Sequence, residues 1–184
     1  MQIEQIIPNG PWLVKPSLLE DSRGIFFRYY CEETFKQVIP EFTRFLQCNQ
    51  SINLKKGTLR GMHYQIAPYA ENKLVRCIKG KVWDVCIDLR KNSTTFLKWF
   101  SIELSEENKW AYYIPKGFAH GFITLSDCAE LIYHRSEMFV PESEKGIRFD
   151  DPLIGISWPM DPVVISDKDK GYVSLDKNFS GFHI

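Results

Sequence analysis

The stretch that most constrains the fold is "KVWDVCIDLR", residues 81–90. It alternates strictly: Trp83, Val85, Ile87 and Leu89 face one way, and Asp84, Cys86, Asp88 and Arg90 face the other. A period of two is the period of a β-strand. It follows "KLVRCIK" (73–79), and Gly80 between two lysines reads as the turn of a hairpin over 73–90. Further strands are expected at 24–30, 44–52, 59–65, 98–104, 111–115, 120–126 and 129–135. Only "EETFKQVI" (32–39) reads as a helix, with its acidic residues early, where the helix dipole favours them. Many short strands broken by Gly, Pro, Asn and Asp predict an all-β sandwich, jelly roll or barrel. Such folds hold small ligands in their mouths or interiors.

The chain of 184 residues is read as one domain, with no repeat and no low-complexity segment. Lys plus Arg equals Asp plus Glu, which removes any whole-protein attraction to nucleic acid or anionic membrane. The first ten residues lack the basic and apolar regions of a signal peptide, and no apolar run approaches the roughly 20 residues that span a bilayer. Five scattered cysteines, at 31, 48, 77, 86 and 128, suit reduced thiols in a cytoplasm, several of them packed as small apolar groups.

"LRGMHYQ" (59–65) sets a lone histidine between an arginine and a glutamine. His63 could be a base, a metal ligand or a core residue. "GTLRGMHYQ" with the later Pro115, Gly117 and His120 of "PKGFAHGF" resembles the two-part cupin motif. Metal-binding cupins usually carry His-x-His in the first part, but here Gln65 takes the second position. Gln is a poor ligand for divalent transition metals, and Glu71 offers a carboxylate only at loose spacing. A metal-free pocket, whose histidines move protons, is the expectation.

With these residues in view, the chain resembles the dTDP-4-dehydrorhamnose 3,5-epimerase family over nearly its whole length. The resemblance rests on "DSRGIFF" (21–27), "QCNQS" (47–51), "GTLRGMHYQ" (57–65), the 72–90 stretch, "IPKGFAHGF" (114–122), "LIYHRSEMFVPESEKGIRFDDP" (131–152), "IGISWP" (154–159) and "SDKD" (166–169). It implies a metal-free and cofactor-free cupin jelly roll, generally a homodimer, acting on a nucleotide-linked 4-keto-6-deoxy sugar. Carbons 3 and 5 flank the ketone, so a base, an enolate stabiliser and an opposed acid are needed. The resemblance assigns His63 as base, Asp169 as its partner with Asp167 as rival, Lys73 as enolate stabiliser and Tyr133 as acid. It places His120 near the sugar and Arg60 on the diphosphate, where a guanidinium fork suits two oxygens. Arg23, Gln47 and Asn49 are further substrate contacts, part of which reach across the dimer.

Two positions depart from the pattern. Arg28 stands where many members carry Glu, and Phe139 where many carry Tyr. Both belong to the nucleotide-facing set, so a GDP-linked or other 4-keto sugar stands beside dTDP, and a single-centre epimerase beside the double one. Other rivals are a ketoisomerase and a non-catalytic sugar-binding module. His134 and His183 read as surface residues, and Trp83, Trp99, Trp110 and Trp158 as packing residues. The resemblance also implies a cytoplasmic role in supplying deoxysugar for a surface polysaccharide.

Overall fold

The structure, a computed structural model, describes residues 1–183. In chain order the strands are β1 (Gln2–Gln5), β2 (Trp12–Lys15), β3 (Leu19–Asp21), β4 (Gly24–Phe26), β5 (Gln47–Asn53), β6 (Thr58–Gln65), β7 (Lys73–Lys79), β8 (Lys81–Asp88), β9 (Trp99–Ser105), β10 (Ala111–Ile114), β11 (Phe118–Thr124), β12 (Ala129–Arg135), β13 (Glu144–Gly146) and β14 (Val164–Ile165). Helix α1 (Glu32–Val38) lies between β4 and β5, and the single turn α2 (Asp167–Lys170) follows β14. One antiparallel sheet has the order β1-β2-β10-β7-β12-β5, and the facing sheet the order β13-β6-β11-β8-β9. β14 adds to β6 in parallel, and β3–β4 forms a separate hairpin. This is the jelly roll of the cupin type that the sequence predicts.

The hairpin expected over 73–90 is corrected. β7 pairs with β10 and β12, while β8 pairs with β11 and β9, so the chain changes sheets at Gly80. Gly80 has φ +70°, and a Cβ there would lie 2.3 Å from Ser126 Oγ. Only glycine turns this corner without strain. The alternation within β8 is as expected, but both of its faces are buried. Val82 and Cys86 pack between the sheets, and Val85, Ile87 and Leu89 pack outward under Ile147 and Ile154 of the C-terminal segment.

The expected strand at 24–30 shortens to β4, and that at 44–52 begins only at Gln47. Aromatic residues of the 24–30 and 44–52 stretches go instead to a cluster on the outer face of the first sheet. There Tyr29, Tyr30 and Phe45 pack around Phe35 of α1, which is fully buried. Removing such a phenyl ring from water is worth about 1.5–3 kcal/mol.

His134, expected at the surface, belongs to this cluster. Its Nε2 lies 3.0 Å from the Tyr29 hydroxyl, and its ring stacks on Tyr30 at 6.0 Å. Burial holds its pKa below that of a free imidazole. The reason is the register: His134 points away from Tyr133 on β12, toward the outer layer. His183 is exposed. All five cysteines are free, with Cys77 and Cys86 buried in the inter-sheet core. Trp83, Trp99, Trp110 and Trp158 all pack against core clusters. Among the described residues, no helix is long and apolar enough to cross a membrane.

Candidate active site

One end of the space between the sheets is filled by the apolar core. The other end opens as a cavity of about 220 Å³. The first sheet contributes Asn49 and Ser51 from β5, Lys73 from β7, and Tyr133 and Arg135 from β12. Tyr133 lies opposite Asn49, and Arg135 opposite Lys73, so the period of two turns all five inward. The facing sheet contributes Arg60 and His63 from β6, and His120 and Phe122 from β11.

Arg60 and His63 are three residues apart, so a regular strand would turn one of them away from the cavity. The pairing explains why both line it. His120 is opposite His63, but Phe122 is opposite Arg60, so β6 spends one extra residue between the two pairs. This bulge restores both side chains to the same face. Gly61 sits in it with φ +130°, and a Cβ there would stand 2.5 Å from Gly121 Cα. Two glycines at the crossing let the backbones close and bring the imidazoles side by side.

Each imidazole is backed by a carboxylate. His63 Nε2 lies 2.7 Å from Asp169 Oδ1, and Asp169 Oδ2 accepts from Gly61 N–H at 3.1 Å. Asp169 arrives from the C-terminal end of the chain. β14 pairs with the start of β6 and delivers α2, where Ser166 Oγ accepts from Asp169 N–H at 3.1 Å. Burial works to raise the Asp169 pKa, but bonds from His63, Gly61 and Ser166 outweigh it and hold the carboxyl below its usual value. Asp169 is therefore an ionised acceptor. It fixes the proton on His63 Nε2 and leaves Nδ1 as the basic nitrogen. Asp167, the rival, is fully exposed on the outer side of the same turn.

His120 Nε2 lies 2.9 and 3.0 Å from the two oxygens of Asp84, on the neighbouring strand β8. Both groups are buried, and burial pushes Asp84 up and His120 down, against an ion pair. Lys73 Nζ donates to the carbonyl oxygen of His63 at 3.2 Å. Its burial lowers its pKa, opposed by Glu71 3.4 Å away. The Tyr133 hydroxyl donates to Ser51 Oγ, and burial raises its pKa. Arg60 is steadied by Asn53 Oδ1 at 2.7 Å.

Of the residues expected at the site, His63, Asp169, Lys73, Tyr133, His120, Arg60 and Asn49 come together here. Gln47 and Phe139 sit beside the cavity. Gln47 Oε1 accepts from Phe139 N–H at 3.0 Å, and the Phe139 ring lies 5.6 Å from the Arg135 guanidinium. Arg23 and Arg28 are not brought to the cavity. Arg23 is on the exposed β3–β4 hairpin, bonded to Asp21, and Arg28 is exposed just beyond it.

Ser51, Asp84 and Arg135 escaped the sequence reading. An aspartate in the middle of an apolar strand was the signal for Asp84. Glu71, weighed there as a metal ligand, instead faces Lys73 and Arg135. Among the described residues, no three His, Cys, Asp or Glu side chains converge as a ligand set.

The family model described as dTDP-4-dehydrorhamnose 3,5-epimerase matches residues 6–177. A dTDP-4-dehydrorhamnose 3,5-epimerase of Shigella flexneri is 44% identical over 157 residues, covering 85% of this chain and 86% of that one. The crystal structure of a dTDP-4-dehydrorhamnose 3,5-epimerase from Elizabethkingia anophelis superposes with a TM-score of 0.91 at 36% identity, over 97% of this chain and 98% of that one. The Legionella pneumophila dTDP-6-deoxy-D-glucose-3,5-epimerase, solved in complex with dTDP-4-keto-L-rhamnose, gives a TM-score of 0.90 at 35% identity, over 100% of this chain and 98% of that one. By sequence and by fold together, this chain belongs to the dTDP-4-dehydrorhamnose 3,5-epimerase family.

Proposed function

We propose that this protein inverts C3 and C5 of dTDP-4-dehydro-6-deoxyglucose by proton transfer next to the C4 ketone. One observation carries the reading: a carboxylate-backed imidazole and a buried phenol line the same small cavity from opposing sheets. Epimerisation requires that geometry, because the proton leaves one face of the ring and returns to the other. His63 takes the proton, and Asp169 stabilises the imidazolium that forms. Enolate charge gathers on the C4 oxygen, and Lys73, whose side chain is almost wholly buried, stabilises it more strongly than it could in bulk solvent. Tyr133 returns a proton to the far face. Its raised pKa keeps it a phenol, the form that can donate. Arg60 and Arg135 supply the positive charge a diphosphate needs.

The same reading has the protein act as a single-domain homodimer in the cytoplasm, supplying deoxysugar for a surface polysaccharide. The β3–β4 hairpin supports the dimer, since Leu19 is 65% and Phe26 71% exposed. A second copy would cover these side chains, and Arg23 would travel with the hairpin toward the partner's cavity.

The test is solvent exchange in D2O, following the C3 and C5 protons by NMR with dTDP-4-keto-6-deoxyglucose and, in parallel, a GDP-linked 4-keto sugar. Loss of both signals from the dTDP sugar is expected. Loss of one makes the enzyme a single-centre epimerase. Exchange confined to the GDP sugar moves the specificity to Arg28 and Phe139, and no exchange with either removes the reading.

A further inference from the structure

Lys73 and Arg135 are directly opposite one another on β7 and β12, and both line the cavity. Like charges facing each other across a sheet are destabilising, the more so away from water. Something must offset them. Glu71, two residues before Lys73 and on the same face, has a side chain only 2% exposed. Its Oε1 lies 3.4 Å from Lys73 Nζ, and its Oε2 3.5 Å from Arg135 Nε. Gln65 Nε2 reaches the same Oε2 at 3.5 Å, and also donates to the carbonyls of Tyr69 and Met138. Gln65 thereby ties the Glu71 segment to the loop after β12.

The other charged groups around Lys73 are Arg135, Glu144, Asp84, His120 and His63. The other two carboxylates are engaged elsewhere, Asp84 by His120 and Glu144 by Lys168. His63 offers Lys73 only its neutral carbonyl. From this geometry we infer that Glu71 is the counter-ion that seats Lys73 and Arg135 side by side in the cavity and keeps Lys73 in its ammonium form. Glu71 is a positioning residue: it touches no substrate and acts through Lys73. The consequence for catalysis rests on the reading of Lys73 as the enolate stabiliser, while the counter-ion role itself does not. Burial favours the neutral amine, and Glu71 is the largest influence opposing it.

The test reads Lys73 directly. Protein labelled with 13C at the lysine ε carbon is titrated by NMR, with Lys73→Gln used to assign the signal. Glu71→Gln keeps the size and one acceptor oxygen but removes the charge, and should lower the Lys73 midpoint by about 1–3 units, the effect of an opposite charge at this range. Arg135→Gln, which removes the competing cation, should raise it. The alkaline limb of kcat should move with each midpoint. Midpoints unmoved in both variants, or moved in the reverse sense, overturn the inference. Midpoints that move as expected, in a protein that exchanges neither the C3 nor the C5 proton, leave the counter-ion standing and remove the catalytic reading alone.

Discussion

His63 and His120 lie opposite each other on β6 and β11, and each bonds through Nε2 to an aspartate. Their surroundings differ. The His63 side chain is 26% exposed, and its carboxylate is held low, against burial, by Gly61 and Ser166 as well as by His63 itself. The His120 side chain is 7% exposed, and Asp84, fully buried, is held high. The same two groups thus make an open pair with a fixed anion and a closed pair in which burial opposes charge on either member. Burial without extra donors penalises charge, whereas burial with donors fixes it. A base needs the second environment, since its imidazolium must be stabilised when it forms. The first environment suits a neutral hydrogen-bonding group held in one orientation.

The comparison breaks most readily at His63. His63→Ala should lower C3 and C5 exchange by about 10²–10⁴-fold, the usual worth of a positioned base. His120→Ala should cost less. Equal losses would mean that both imidazoles transfer protons, and a larger loss at His120 would reverse the assignment.

Exchanging the carboxylates for amides sharpens it. Asp169→Asn removes the anion behind the base and should lower kcat by about 10²-fold, up to about 10⁴-fold if the wrong tautomer dominates. Asp84→Asn keeps a hydrogen-bond partner for His120 and should lower kcat much less. Carboxyl 13C spectra of the wild type, recorded on acidification, give the complementary observation. Asp84 should take its proton first, and Asp169 should hold its charge below the usual aspartate range. The sign for stability follows. Asp169 is depressed in the folded state, so its contribution is present above the unfolded pKa and is lost as pH falls through the folded value. Asp169→Asn should flatten that acid limb of the unfolding curve, and an unchanged limb would count against the fixed anion.

Asp84→Ala reads the closed pair as structure. It leaves a buried imidazole nitrogen without its partner, which costs about 1–3 kcal/mol. Urea unfolding measures this directly. A variant as stable as the wild type would mean that water replaces the carboxylate and that the pair is not closed.

The sequence made one half of this site more legible than the other. His63, Lys73 and Tyr133 were found because each sits in a distinctive string of neighbours. Asp84 was in plain view in an alternating strand, but its partner is 36 residues away, and nothing local says which residue a buried carboxylate will meet. The same limit explains the hairpin at Gly80. Alternation fixes which residues share a face, but it is identical whether a strand pairs with its neighbour in sequence or crosses to the facing sheet. β12 matches the expected range, 129–135, because turn residues bound it on one side and its pattern is unbroken. The 24–30 and 44–52 stretches ran too long because aromatic residues that favour strands are here spent on the outer cluster around Phe35. The bulge in β6 had no periodic signature, yet it is what turns Arg60 and His63 to one side.

The smallest effect concerns what stands behind the open pair. The Tyr172 ring meets His63 edge-on at 5.9 Å, and it fills space that a side chain at residue 146 would need, since a Cβ on Gly146 would come within 2.2 Å of it. Gly146 is itself opposite His63 on β13. Ring, glycine and imidazole are therefore packed as a unit, and the ring limits how far His63 can swing from Asp169. The Tyr172 hydroxyl is buried beside Lys168, which is bonded to Glu144. If the ring alone does the work, Tyr172→Phe should leave proton exchange unchanged. Losing the hydroxyl should change stability by no more than about 1 kcal/mol, or about 2–4 °C in Tm for a chain of this size. Gly146→Ala should slow exchange and lower stability, because it displaces the ring. A Tyr172→Phe variant that exchanged slowly would make the hydroxyl a participant, and the open pair would then be a triad.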